Sequence, residues 1–168
     1  MKSTRIALVV LLAVTTFTTT AAFAQSDAKK TFDQIKSLDG NWQGKAMGKD
    51  LKVTFRTTAG GSAVISEITA PETMVTMFHE DNDRVLATHY CAAGNQPRMQ
   101  ASTSPDGKTI TFTFVDATNL ATPKTGHMTS LVLTIPDSDH HIEDWTFTKE
   151  DGQLMKEHFD LTRAHGSL

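Results

Sequence analysis

Apolar and polar residues alternate with a period of two from Asn41 onward, and turn residues interrupt this pattern about every eight to twelve positions. One such segment places Leu51, Val53 and Phe55 on a single face, and the turn at 105–107 reads Pro-Asp-Gly. Short links favour antiparallel neighbours, and closing the sheet on itself removes its exposed edges. The pattern therefore predicts an all-β chain, a single antiparallel up-and-down barrel of about ten strands.

A short helical segment precedes the predicted strands. Thr31 stands at an N-cap position, and Gln34 follows at the spacing of a capping box. Phe32, Ile35 and Leu38 share one face of such a helix. We expect this short N-terminal helix to plug one end of the barrel.

The first strand opens with Gly-Asn-Trp-Gln-Gly at 40–44. Gly40 can turn the chain tightly, and Trp42 supplies a large apolar ring with one polar tip. Gly44 allows another backbone to approach closely within a strand.

This Gly-x-Trp opening resembles that of the lipocalin and calycin barrels. The resemblance implies that Trp42 lies at the closed end, with an arginine of the last strand packed across its ring. Arg163 matches that position, and a guanidinium is attracted to the face of an indole. Gly40, Trp42 and Arg163 are therefore predicted to close the barrel. The opening also resembles that of nitrobindin-type haem barrels and of secreted bacterial proteins with this general shape.

The first 24 residues have the organisation of a secretory signal. Lys2 and Arg5 precede an apolar run at 6–14, and Ala-Phe-Ala at 22–24 forms a small-x-small cleavage site. The apolar run is too short for a permanent membrane span, and no cysteine follows directly to carry a lipid. We predict a signal peptide at 1–24, cleavage near Ala24 and a secreted or periplasmic barrel domain at 25–168 without a membrane anchor.

The predicted mature domain is acidic. Loss of Lys2 and Arg5 lowers the basic residues from 16 to 14 against 19 acidic ones, which leaves a net charge of −5. An acidic domain without a Lys/Arg cluster is not expected to bind nucleic acid. Cys91 is the only cysteine, so no internal disulfide can form, unlike in many secreted lipocalins.

Polar side chains fall on the presumed inner wall of the last three strands. Alternation with the large apolar residues places His127 and Thr129 on one inner face, Glu143 with Trp145 on the next, and Glu157 on the last. A carboxylate removed from water must find a donor or take up a proton. We expect these groups to pair with one another or with a ligand, with exposure at the rim as the alternative.

The run Thr88-His89-Tyr90-Cys91 concentrates reactive side chains on one strand. Either His89 and Cys91 or Thr88 and Tyr90 face inward, and strand register decides between them. Apolar residues two and four positions before His89 favour the first arrangement. In that arrangement Cys91 is a buried thiol protected from oxidation, and His79 on the neighbouring strand approaches His89.

Four functions are compatible with such a barrel. The residues favour passive binding of a small, largely apolar molecule in the barrel cavity over catalysis. A haem barrel would use His79, His89 or His127 as axial ligand, because His158 shares its face with charged neighbours. An isomerase or cyclase would use a cavity His or Glu as general base. A metal site is not expected, because the sequence contains no His-x-His on one strand.

Overall fold

In the computed structural model, which describes residues 27–69 and 72–164, one helix precedes a closed barrel of ten antiparallel strands. Each strand pairs with its neighbours in sequence, and the first strand pairs with the last. The predicted all-β up-and-down barrel is confirmed. The elements are α1 (Asp27–Ser37), β1 (Gly40–Ala46), β2 (Lys49–Thr58), β3 (Ala63–Ile68), β4 (Met74–Asp81), β5 (Arg84–Tyr90), β6 (Gln96–Thr103), β7 (Thr109–Thr118), β8 (His127–Thr134), β9 (His140–Thr148) and β10 (Leu154–Arg163).

The predicted signal peptide at 1–24 lies outside the described residues. Among the residues that are described, no helix combines the length and the hydropathy needed to cross a bilayer.

Helix α1 covers one end of the barrel, termed here the closed end. Its apolar face, with Phe32 and Ile35, is completely buried. The helix begins at Asp27, four residues earlier than the capping pattern predicts, so Thr31 lies inside it and is not its N-cap. The Thr31 hydroxyl instead forms a hydrogen bond with the hydroxyl of Thr103 at the end of β6. The opposite end, where β1 turns into β2 and β5 into β6, is termed the open end.

The two ends of the barrel chain meet at Trp42 and Arg163, which are paired residues of β1 and β10. The Arg163 guanidinium carbon lies 4.2 Å from the centroid of the Trp42 ring. The Trp42 indole donates a hydrogen bond of 2.7 Å to the carbonyl of Leu38 and so ties α1 to β1. The guanidinium donates to three backbone carbonyls, those of Ser37, Asp39 and Ser138.

Two glycines permit this close approach of β1 and β10. Gly40 has a φ of 134°, and a Cβ atom there would lie 2.7 Å from a guanidinium nitrogen of Arg163. A Cβ atom on Gly44 would lie 2.3 Å from the carbonyl oxygen of Asp160. At Gly44 a larger residue would clash with the β10 backbone unless the seam opens, whereas at Gly40 it would displace the Arg163 guanidinium from its place.

The interior near the closed end is filled by side chains. The ring centroids of Phe55 and Phe78 are 6.3 Å apart, and those of Phe78 and Phe112 are 5.3 Å apart. Met99 and Leu131 are also completely buried in this cluster. The barrel cavity expected from the sequence therefore does not extend into this half of the molecule, because large apolar residues on facing strands interdigitate.

Candidate functional site

An apolar pocket of about 260 Å³ lies at the open end of the barrel and is termed the mouth pocket. Its walls carry four methionines, two phenylalanines, three alanines, one thiol and one carboxylate. These residues come from β1, the turn after it, β4, the loop after β5, and β8, β9 and β10, so strands distant in sequence build one apolar surface.

The methionines are Met47, Met74, Met128 and Met155. Met47 and Met155 are 69% and 44% exposed at the rim, whereas Met128 is buried. A thioether side chain is flexible and polarisable, so it adapts to irregular apolar shapes. The pocket can therefore adjust its wall around ligands of somewhat different shape.

Phe147 forms part of the pocket wall and is held against the loop that enters β8. A Cβ atom on Gly126 would lie 2.9 Å from the Phe147 ring, so the ring packs directly on the glycine backbone. The side chain of Asn95, which is almost completely buried, donates a 2.8 Å hydrogen bond to the Gly126 carbonyl. This bond joins the loop after β5 to the loop before β8 and fixes one side of the mouth.

Cys91 lies in the pocket wall on its predicted inner side, but it is only half-buried and is not the fully buried thiol that was expected. Burial raises the pKa of the Cys91 thiol, and the negative charge of Glu72 acts in the same direction, while a hydrogen bond with the backbone of Ala93 lowers it. The neutral thiol therefore predominates at neutral pH, and the nucleophilic thiolate is scarce.

A buried polar cluster lies below the mouth pocket, on the inner face of β9. The indole of Trp145 donates a 2.8 Å hydrogen bond to one oxygen of Glu143, and His141 Nε2 lies 3.1 Å from the other oxygen. All three side chains are at most 3% exposed. The His141 and Trp42 rings are nearly perpendicular, with their centroids 4.2 Å apart. The Glu143 carboxylate is thus satisfied within the protein, and a ligand would have to break these bonds to use it.

His141 is the member of this cluster that is absent from the sequence-based candidates. The signal for it was present, because residues 141, 143 and 145 share one face of a strand. Sequence cannot show that His141 and Trp145 both turn toward the same carboxylate.

His89 also lies inside the barrel, and Tyr90 is 51% exposed on the outer face. His89 Nδ1 lies 2.9 Å from the Thr76 hydroxyl, and its ring centroid is 4.8 Å from that of Trp145. The structure therefore selects the arrangement with His89 and Cys91 inward. Burial lowers the pKa of His89 to about 4, since the charged ring loses its hydration.

The lowered pKa of His89 predicts a loss of stability in acid. The unfolded chain binds this proton near pH 6.5 but the folded protein only near pH 4, so acidification between these values favours unfolding. The free energy of unfolding should be insensitive to this group above pH 6.5 and should fall by on the order of 3 kcal/mol as pH approaches 4. Urea denaturation at pH 7 and pH 4.5 measures the effect. In His89→Gln, which stays neutral, the decline should be smaller, and parallel declines in both proteins would contradict the assignment.

His127 is buried at the rim but does not line the mouth pocket. Its Nδ1 donates to the Thr125 carbonyl at 2.7 Å, and its ring centroid lies 4.5 Å from that of Phe114. A register shift between residues 128 and 130 brings Met128 into the pocket. The same shift directs the Thr129 hydroxyl to the Thr146 carbonyl and the Thr148 hydroxyl, so the expected inner position of Thr129 is wrong.

His79 does not approach His89. It alternates with Thr76 and Phe78, which are buried inside the barrel, so it lies on the outer face of β4. Its partner on β5 is Leu86, whereas His89 pairs with Thr76. Of the predicted site residues, the structure therefore brings Cys91 and Glu157 together in the mouth pocket, and His89, Glu143 and Trp145 together beneath it.

The described histidines do not fit a haem. An axial histidine needs a free ring nitrogen that faces an apolar pocket, and the lining of the mouth pocket contains none. His89 has an unpaired ring nitrogen, Nε2, but this nitrogen is buried inside the barrel beside Trp145, and His89 does not line the pocket. His140 and His158 bond to Asp160 and Asp144 on the outer surface. Within residues 27–69 and 72–164, moreover, no three His, Cys, Asp or Glu side chains are grouped as a metal site.

A larger groove of about 640 Å³ lies between α1 and the strands β5 and β6. Its lining includes Asp27, Lys30, Asp83 and Arg84, which are charged. Arg84 already bonds to Asp81, and Lys30 to Asp27. The charges in this groove lie at the surface and are partly paired with one another. The mouth pocket is therefore the better candidate site.

Comparison with known proteins supports the fold and no finer assignment. No protein-family model matches the chain, and no curated protein matches it significantly. The crystal structure of Rv2717c from M. tuberculosis is similar, with a TM-score of 0.53 at 16% sequence identity. The match covers 80% of this chain and 98% of that one. The chain is thus similar in its β-barrel fold to that solved structure.

Proposed function

We propose that this protein binds a small, largely apolar molecule in the mouth pocket and does so without chemical turnover. The observation that carries the proposal is the pocket itself, a concave surface of methionine and phenylalanine at the open end of a rigid closed barrel. Binding sites of this kind combine apolar walls with a few polar groups, and barrel mouths are a common place for them.

The volume of the pocket limits the size of the ligand. An apolar cavity of ~150 Å³ holds benzene in another protein, so about 260 Å³ suits a molecule of roughly two rings or a medium alkyl chain. Haem is poorly matched to this space as well as to the histidines. The ligand proposed here is therefore smaller than a porphyrin.

Catalysis is the weaker candidate, because the pocket lining offers Glu157 as its one carboxylate and no histidine or second acid to act with it. Glu143 is held by Trp145 and His141, and the thiol of Cys91 is neutral at neutral pH. A general base must reach a proton of the bound ligand. Glu143 and His89 lie below the pocket and are not among its lining residues.

We also propose which class of barrels this protein is related to and where in the cell it is located. The closed ten-stranded barrel and the Arg163–Trp42 contact support a place among the lipocalin-like and nitrobindin-like barrels. The composition of residues 1–24 supports export to the periplasm or the medium, followed by cleavage near Ala24.

Binding of N-phenyl-1-naphthylamine, whose fluorescence rises in apolar surroundings, tests the proposal. The wild-type protein should bind this probe, and Ala46→Phe should weaken binding by about tenfold or more, because the added ring fills space next to the buried Ala46. The matched control is Ala121→Phe in an exposed loop outside the pocket, which should leave binding unchanged.

Two results would overturn the proposal. One is a wild-type protein that does not bind the probe, and the other is a folded Ala46→Phe variant that binds it as tightly as the wild type. If Ala46→Phe does not fold, Ala93→Phe at the exposed rim of the same pocket replaces it, with the same expected loss.

A further inference from the structure

One charged side chain, Glu157, stands in the otherwise apolar wall of the mouth pocket. It lies on β10 two residues before the buried Phe159 and therefore points to the same inner face. Across the sheet it is paired with Trp145 of β9, which also faces inward. The carboxylate is half-buried, unlike the exposed acidic residues in the turn between these strands.

Glu157 has neither a hydrogen-bond donor nor an ion-pair partner among the described residues. The neighbouring acidic groups differ in this respect. Asp144 and Asp160 accept hydrogen bonds from His158 and His140, and Glu143 accepts from Trp145. Glu157 is thus the inward acid of β9 and β10 to which the described part of the chain supplies no partner.

A carboxylate without a partner beside apolar walls offers a cationic group a charge-assisted hydrogen bond. Glu72 adds a second negative charge close to the pocket, since it acts electrostatically on Cys91. The aromatic rings of Phe147 and Phe159 line the same pocket, and their faces attract cations. Carboxylate, aromatic rings and thioethers together favour an organic cation with a hydrocarbon body.

A hard metal ion fits this place less well than an organic cation. Calcium and magnesium require six or more oxygen ligands. The pocket lining supplies one carboxylate, and the described residues contain no cluster of three candidate metal ligands.

We infer that the ligand of the mouth pocket is an amphipathic amine, with its ammonium group on Glu157 and its hydrocarbon part among the methionines and phenylalanines. This inference rests on the proposed function and adds the chemical class of the ligand. The ammonium replaces its lost hydration by a charge-assisted hydrogen bond to the carboxylate.

Displacement of N-phenyl-1-naphthylamine by octan-1-amine, octan-1-ol and octanoate tests the inference, because these compounds share one chain and differ in the head group. On wild-type protein the amine should bind about tenfold or more tighter than the alcohol, and octanoate should bind most weakly. In Glu157→Gln the amine and the alcohol should bind within about twofold of each other, while the affinity of the alcohol stays unchanged. Glu150→Gln, which removes an exposed charge from the turn between β9 and β10, is the matched control and should keep the preference for the amine.

The outcomes separate the two proposals. Equal binding of amine and alcohol by the wild type, or an amine preference that survives in Glu157→Gln, overturns the inference and leaves apolar binding intact. The inference is also overturned if Glu150→Gln loses the preference for the amine to the same extent. That preference would then come from the overall negative charge at the open end of the barrel and not from Glu157. Failure of the probe itself to bind overturns the proposed function.

Discussion

Replacement of Trp42 by alanine is expected to lower the free energy of unfolding by about 3–5 kcal/mol. Trp42 is 1% exposed, and its removal leaves a large cavity at the seam where the first and last strands meet. The change also removes the ring on which Arg163 and His141 pack and the donor that binds the Leu38 carbonyl. Urea denaturation followed by far-ultraviolet circular dichroism measures the loss.

Arg163 provides the control for the specific contact at this seam. Arg163→Lys keeps the charge but loses the planar group that bonds to three carbonyls, so it should destabilise the barrel less than Trp42→Ala. In a double-mutant cycle with Trp42→Ala, the two losses should not add, because the residues are in direct contact. A loss below about 1 kcal/mol in Trp42→Ala would contradict the role of this pair as the closure of the barrel.

Replacement of Glu143 by leucine is expected to cost about 3–5 kcal/mol, a loss comparable to that of Trp42→Ala. The leucine has a similar size, so the effect does not come from a cavity. It comes from the Trp145 indole N–H and from His141, which lose their acceptor in a part of the barrel that water does not reach.

The conservative variant separates this explanation from loss of packing. Glu143→Gln keeps an oxygen that can accept the hydrogen bond from Trp145, so it should lose less stability than Glu143→Leu. Chemical denaturation at neutral pH ranks the two variants. Leucine and glutamine variants of equal stability would show that the hydrogen bonds contribute nothing and would reject the polar cluster as a source of stability.

The sequence determined the class of fold, because the signal for it is local. Alternation of apolar residues within each strand, with turns between them, requires no knowledge of distant partners. The resemblance of the β1 opening to that of lipocalin and calycin barrels also predicted where the chain closes, and the observed packing of the guanidinium on the indole agrees with it. The sequence did not predict where α1 begins. Thr31 has the pattern of an N-cap residue, but it lies within the helix and its hydroxyl bonds to Thr103.

The candidate site depended on contacts between strands and could be predicted only in part. Alternation placed Glu143 and Trp145 inward, but only the structure shows that they bond to each other and with His141. The register shift in β8 is not visible in the sequence, and it decides that Met128 lines the pocket. A single-residue shift reverses which side chains face inward, so alternation placed Leu131 and Leu133 correctly but failed before the shift, at Met128 and Thr129.

The sequence by itself thus determined an antiparallel barrel with a helix at one end, because apolar alternation and turn residues are local signals. Only the tertiary structure decided how the interior is divided between a packed aromatic core, a buried polar cluster and an apolar mouth. That division depends on the volumes of side chains that meet from opposite walls, such as Phe78 and Phe112. Those volumes are known from the sequence, but which of them face one another is known only once the strands are in register.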